Sequence, residues 1–256
     1  MEGRITKTEN HDIYTKLMMH FNGNLYDSSR SGHSVSSIGG SLEASVKKFG
    51  SHSYKHTTAK GSRDALTWDG YDDLSFGTGD FTIDFWTKLD PSDTDRHTFI
   101  NGGPLDLDIR TVTTPYNGIN VYLEGSDIIS DAEGVVTIND GAWHHVALVR
   151  GGGTLYLFVD GVIIHSEANS TDIQIPNTNL ISIGEASSAH TNNQPLQGYI
   201  DELRISKGIA RWTSGFQVPT EPYRGENNIT GSINTELISI SKHKEGIILT
   251  DREINQ

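Results

Sequence analysis

The chain has 256 residues, with 20 Lys and Arg against 33 Asp and Glu, a formal net charge of −13, and no cysteine. That balance excludes a basic grip on nucleic acid or on an anionic membrane, and the missing thiols exclude disulfides, Cys-ligated metals and Cys nucleophiles together. An apolar fraction of 34% beside 27 glycines points to a sheet-rich chain, because each tight turn uses Gly to reach positive φ.

The first ten residues hold no apolar stretch of signal-peptide type, and no run in the sequence approaches the 18 apolar residues of a bilayer span. Residues 1–16 read as an N-terminal extension. Strands are predicted over Lys16–Phe21, Ser51–Thr57 and Ala65–Trp68. Next comes Phe81–Leu89, where Phe81, Ile83, Phe85 and Leu89 alternate with Thr82, Asp84, Trp86 and Lys88. Period two puts the first set on a core face and leaves the second set half-solvated. Further strands are expected over His97–Ile100, Leu105–Arg110, Ile119–Leu123, Trp143–Arg150, Thr154–Val159, Val162–Ser166, Leu180–Ile183 and Gly198–Ile205.

Two hairpins are signalled strongly. Gly151-Gly152-Gly153 joins Trp143–Arg150 to Thr154–Val159, and Asp160-Gly161 joins that strand to Val162–Ser166. Asp-Gly supplies the two positive-φ residues of a type I′ turn. Lys207–Arg211 is expected to form one helical turn. A dozen short strands without a long helix make the fold all-β, two stacked antiparallel sheets. Pro219, Pro222 and Gly225 mark a break near residue 223, so the body is 17–223 and 224–256 is a C-terminal extension. Its apolar runs, Leu237–Ile240 and Ile247–Leu249, suit strands added to an exposed sheet edge, which makes the extension an anchoring arm.

Three stretches carry a family resemblance. They are Leu17–Gly23 with Asp27-Ser28-Ser29 and Gly32-His33; Phe76–Trp86; and Trp143–Arg150 with Leu157–Gly161 and Gly198–Ser206. In this order and spacing they resemble the laminin G-like, concanavalin A-like lectin/glucanase superfamily. The resemblance implies a jelly-roll sandwich and a default role in binding, usually toward carbohydrate or protein. The ending Lys207–Trp212 resembles the version of the domain common in phage structural proteins.

Members of the superfamily often hold a structural calcium between first and last strands. The resemblance places it here on Asn22, Asp27 and Asp201, beside Glu202, with Asn22 standing where an Asp is common. Calcium requires about six to eight hard oxygens. The competing reading pairs Asp201 and Glu202 with Arg204 or water. Asp106 and Asp108 share a strand face, which reads first as the wet side of that strand.

Glycan surfaces combine a flat ring with groups that bond hydroxyls. The loop Thr113–Gly118 offers Tyr116 and Asn117 at a sandwich rim, with Tyr122 on the adjoining sheet face. The four Trp residues fit packing positions, and the eleven His residues read as structural, with His144 and His145 on opposite strand faces. No Glu-x-Asp-x-x-Glu string of the laminarinase type, Gly-x-Ser-x-Gly elbow or Gly-x-x-x-x-Gly-Lys loop occurs.

The function expected is a non-catalytic virion surface protein of a phage, carrying a lectin-like domain for host or environmental glycans as a tail fibre or capsid decoration. Its expected partners are other virion proteins through the C-terminal extension and a second copy of itself in a homo-oligomer. A purely structural coat protein is the first alternative and a glycoside hydrolase the second.

Overall fold

A computed structural model describes residues 12–56, 65–68, 71–92, 98–102, 107–111, 118–123, 126–130, 136–175, 181–184, 196–224, 241–243 and 246–248. The chain divides into two compact units, residues 1–226 and 227–256. In the second, β16 (Ser241–His243) and β17 (Gly246–Ile248) form an antiparallel hairpin. The apolar run Leu237–Ile240 lies outside the described residues.

The first unit is a jelly-roll-like sandwich of two antiparallel sheets. Its eight-stranded sheet contains β1 (Thr15–Met19), β3 (Ser41–Glu43), β4 (Ser53–His56), β6 (Phe81–Leu89), β11 (His144–Gly151), β12 (Thr154–Val159), β13 (Val162–Ala168) and β15 (Gly198–Lys207). The order is β13-β12-β11-β6-β15-β4-β3, and β1 also pairs with β15. The seven-stranded sheet contains β2 (Val35–Ile38), β5 (Ala65–Trp68), β7 (Thr98–Asn101), β8 (Leu107–Thr111), β9 (Ile119–Leu123), β10 (Ser126–Ser130) and β14 (Ile181–Ile183). It runs β10-β9-β8-β7-β14-β5-β2. No helix among the described residues is long and apolar enough to cross a membrane.

The alternating residues of both sheets meet in one apolar core. Phe81, Ile83, Phe85, Val146, Leu148, Leu155 and Leu157 come from one sheet; Leu66, Ile109, Val121, Leu123 and Ile183 come from the other. The meander β11-β12-β13 stands as the Gly and Asp-Gly turns require. Gly152 and Gly153 have φ of 58° and 79°, and Asp160 and Gly161 have 49° and 77°, the paired positive values of type I′ turns.

Two expectations are corrected. Lys207–Arg211 is not helical: Lys207 ends β15 and the chain then leaves the sheet, while the single helical turn among the described residues, α1, is Tyr71–Leu74. The second face of β6 is not half-solvated either. Thr82, Asp84 and Trp86 are buried, because residues 208–224 cross the outside of the eight-stranded sheet as a strap. Trp212 and Phe216 stack on each other at 3.9 Å, and with Ala210 they cover Ala147, Val149 and Phe158. Val218 and Tyr223 cover Met18 and Trp86. Gly161 is fixed by this crossing, since a Cβ there would lie 2.0 Å from the Phe216 carbonyl oxygen.

Candidate binding site

The seven-stranded sheet turns Leu66, Trp68, Ile109, Ile119, Val121, Leu123 and Ile183 inward, so the residues between them occupy its other face. Register defines what lies side by side there. Ser36 is opposite Thr67, Thr67 opposite Ser182, Ser182 opposite Asn101, Asn101 opposite Asp108, and Asp108 opposite Tyr122. One continuous transverse row therefore crosses six strands. A second row sets Thr98, Arg110 and Asn120 in line. A bulge makes the first row possible: Phe99 is the extra residue between Thr98 and Ile100, so Phe99 and Ile100 both enter the core while Asn101 returns to the polar face.

Asn101 and Ser182 are buried at the middle of the row, whereas Thr67 and Tyr122 are half-buried and Ser36 is exposed. The face thus rises from buried amide and hydroxyl groups to a ring at one side. The accessible part of the row suits a hydroxylated ligand: a flat apolar surface at half-buried Tyr122, with the hydroxyls of Thr67 and Ser36 nearer its other end. Tyr122 lies on the sheet face expected of it, and Tyr116 and Asn117 lie outside the described residues. Asp108 lies on β8, in register with Asn101 and Tyr122, and Asp106 is outside the described residues. Asn101, Ser182 and Thr67 were not singled out from the sequence, because their alignment depends on pairing between distant strands.

A different arrangement surrounds Asp201 and Glu202. The free edge of β15 pairs with β4 over Gly198–Ile200 and with β1 over Leu203–Ser206, and the two acids form the bulge where the partner changes. Glu202 takes φ of +49°, and Phe21, just beyond β1, takes +56°. Both are strained values for residues with a Cβ. Asp201 Oδ2 accepts the Lys48 and Phe49 amides at 2.8 and 3.1 Å. Glu202 Oε2 accepts the Tyr223 amide at 2.8 Å and lies 2.8 Å from His20 Nδ1. The remaining oxygens, Asp201 Oδ1 and Glu202 Oε1, are buried without a hydrogen-bond partner. Burial, with Glu202 adding to it, pushes the Asp201 carboxyl up to about 7.

The residues expected to hold calcium divide at this point. Asn22 Oδ1 accepts the Ser51 amide at 2.6 Å, so Asn22 and Asp201 hold neighbouring amides of one loop. Asp27 is fully engaged elsewhere: Oδ1 accepts from Met18 and Ser29 amides, and Oδ2 from the Ser29 hydroxyl and the His33 amide. Among the described residues no cluster of three or more His, Asp or Glu could hold a metal. The fit to a cation is therefore confined to the two orphaned oxygens of Asp201 and Glu202. Neither acid pairs with Arg204, whose partner is Asp84.

That pair anchors the outer face under the strap. Asp84 on β6 stands opposite Arg204 on β15, and the guanidinium Nε and Nη2 each donate to one carboxylate oxygen at 2.9 Å. His145 Nε2 lies 3.5 Å from Asp84 and 3.0 Å from the Tyr223 hydroxyl. The Arg204 guanidinium also covers the Tyr223 ring at 4.4 Å. Despite complete burial, the Arg204 charge and the His145 hydrogen bond hold the Asp84 carboxyl well below the usual carboxylate range. Asp84 is thus a permanent anion built into packing, not a proton donor.

The profile of the concanavalin A-like lectin/glucanases superfamily matches residues 60–211, more than half of the chain. The chain belongs to this superfamily. Among solved structures, domain 4 of a GH43 extracellular arabinanase from Geobacillus stearothermophilus, in complex with arabinotriose, is similar with a TM-score of 0.55 at 19% identity. The match covers 77% of this chain and 94% of that one. The binding domain of Paraclostridial mosquitocidal protein 1 gives 0.57 at 14% identity, over 77% and 49% of the two chains. Botulinum neurotoxin type C, whose cell entry depends on interaction with two ganglioside molecules, gives 0.56 at 16%, over 77% and 48%. The superfamily domain spans about half the length of these two toxin chains. No curated protein sequence matches the chain.

Proposed function

We propose that this superfamily member is a non-catalytic carbohydrate-binding module that holds a glycan on the polar face of its seven-stranded sheet. The observation carrying this reading is the row Ser36–Thr67–Ser182–Asn101–Asp108–Tyr122, which sets an aromatic ring at the side of a strip of hydrogen-bonding positions. Support also comes from the neighbours' ligands, arabinotriose for the arabinanase domain and gangliosides for the neurotoxin. A binding rather than hydrolytic role agrees with the state of the buried acids in the outer sheet. Asp84 is locked to Arg204, and Asp201 and Glu202 each give one oxygen to main-chain amides.

The display platform proposed is a phage virion, on the strength of the Lys207–Trp212 ending, with residues 224–256 as the attachment arm. The test of the binding reading is a glycan array that includes arabino-oligosaccharides and ganglioside headgroups. Specific signal that falls about tenfold or more in Tyr122→Ala supports it. Sugar release from a polysaccharide panel, or array signal indifferent to Tyr122, would remove it.

A further inference from the structure

Strand β13 ends the eight-stranded sheet: β12 pairs with one side of it, and no described strand pairs with the other. Open edges of this kind are normally guarded by Lys, Pro or inward charges. Val162–Ala168 has neither Lys nor Pro, its one carboxylate, Glu167, lies opposite core Leu155, and it exposes Val162 by 63% and Ile163 by 38%. What it does have is a bulge. Phe158 is opposite Ile163 and Leu157 opposite His165, so Ile164 is the extra residue. The bulge divides the strand and leaves His165–Ala168 as the regular segment, opposite Leu157, Tyr156, Leu155 and Thr154.

We propose that this segment is a homodimer interface, in which β13 pairs antiparallel with β13 of a second copy about a two-fold axis at Ser166. A two-fold axis of that kind makes the contact self-complementary. It also limits the registers, because facing residues must lie on the same side of the sheet. Three centres then fall within the regular segment's reach. An axis at His165 runs the pairing through the bulge, and an axis at Glu167 sets two carboxylates directly opposite each other. An axis at Ser166 keeps its central pairs, 165–167, 166–166 and 167–165, within the regular segment and sets no two carboxylates opposite each other.

It places His165 of each copy opposite Glu167 of the other, twice, and the ladder ends where the Ile164 bulge begins. Within one chain His165 Nε2, itself buried, and Glu167 Oε2 are already 3.7 Å apart on the same face, and the two side chains are each more than one-third exposed. Pairing two copies turns that single contact into a four-residue alternation of imidazole and carboxylate across the axis. Opposite-charge and hydrogen-bonding pairs directly across a ladder stabilise it, and like charges there destabilise it. The acidic chain as a whole repels its copy, so the interface depends on these local pairs and on the main-chain ladder. The proposal is independent of the glycan reading, since it uses the opposite sheet.

Sedimentation velocity of the full chain over a concentration series tests it. The expected result is a reversible monomer–dimer equilibrium. His165→Glu and Glu167→His should each weaken it roughly tenfold, because each sets like groups across the axis twice. The combined exchange, His165→Glu with Glu167→His, restores opposite partners and should recover dimerisation. Ser166→Lys, which brings two ammonium groups together on the axis, should abolish it at the same concentrations. All three positions are on the edge strand, and circular dichroism verifies that each variant is folded. A chain that remains monomeric throughout, a dimer indifferent to the single changes, or a combined exchange that fails to recover would each overturn the proposal.

Discussion

The two sheets of this sandwich treat their outward faces in opposite ways. On the eight-stranded sheet the outer face carries Asp84, Trp86, His145 and Arg204, and the 208–224 strap seals all of them from water. On the seven-stranded sheet the corresponding face carries short polar side chains and Tyr122, graded from buried to exposed. The lesson is one of division of labour. Charges that are desolvated and paired fix how the strap lies, whereas the other sheet grades from buried Asn101 and Ser182 to the half-buried ring of Tyr122 and exposed Ser36.

The sharpest way to break this comparison is Arg204→Met. It removes the partner of a buried carboxylate while roughly preserving side-chain length, and leaving a buried charge uncompensated costs about 3–5 kcal/mol. For a domain of this size that corresponds to a fall in Tm of roughly 6–20 °C, read by thermal melting. A change of only a degree or two would mean that the strap is held by apolar packing alone. Replacing both members, Asp84→Leu with Arg204→Met, should recover part of the loss, because no charge is then left without a partner.

The next effect concerns the Asp201–Glu202 bulge, which belongs to the sealed side yet has two unsatisfied oxygens. Asp201 has its carboxyl raised to about 7 in the folded protein, chiefly by burial. The folded state therefore keeps a proton that the unfolded chain releases near its ordinary value. The resulting stability is complete below about pH 4 and is lost as pH rises toward 7 and beyond. Asp201→Asn should flatten this slope, as measured by Tm across pH 4–8 in a chelator. Adding calcium to the unmodified protein separates the two ways of satisfying the oxygens. A calcium-dependent rise in Tm at pH 8 that Asp201→Asn abolishes would assign them to a cation, and no rise would assign them to the proton.

Tyr122→Ala addresses the other sheet. At a half-buried position outside the apolar core it should lower Tm by only a few degrees, yet weaken glycan binding about tenfold or more. The ratio is what matters. A large stability loss with proportionate binding loss would make Tyr122 a packing residue like the strap aromatics.

How far the sequence disclosed this arrangement depends on the range of the interactions. Period-two alternation and the Asp160-Gly161 turn are local, and the strands Ala65–Trp68, Ile119–Leu123 and Thr154–Val159 stand where the pattern puts them. The strands Val35–Ile38, Ser41–Glu43 and Ser126–Ser130 are not legible in the sequence because they are short, polar and poorly patterned. The burial of Thr82, Asp84 and Trp86 was not legible in their own strand. It arises from a strap more than 120 residues away, whose Arg211 amide donates to Thr82 Oγ1. Tyr122 was legible as a residue of the sheet face adjoining the Thr113–Gly118 loop. Its alignment with Asn101 and Ser182 was not, because it depends on the pairing of β7 with β8 and β14 and on the bulge at Phe99.

The smallest expected effect lies at the rim of the sealed face and sharpens its boundary. His144 points away from buried His145 and bridges two carboxylates, Asp160 at 2.7 Å through Nδ1 and Asp140 at 3.0 Å through Nε2. The Asp160 hydrogen bond leads in raising the His144 pKa, with burial opposing it. A folded value above the unfolded one means that stability is fully present below the unfolded pKa and is lost as pH climbs through the raised one. Both carboxylates are nearly half exposed, so solvent screening limits the contribution to about 1 kcal/mol or less. His144→Gln should therefore lower Tm by a degree or two at pH 5.5 and by less at pH 8.5, with the difference shrinking in 1 M salt. A loss as large as that of Arg204→Met, or one equal at both pH values, would place His144 with the buried network instead of at its wet margin.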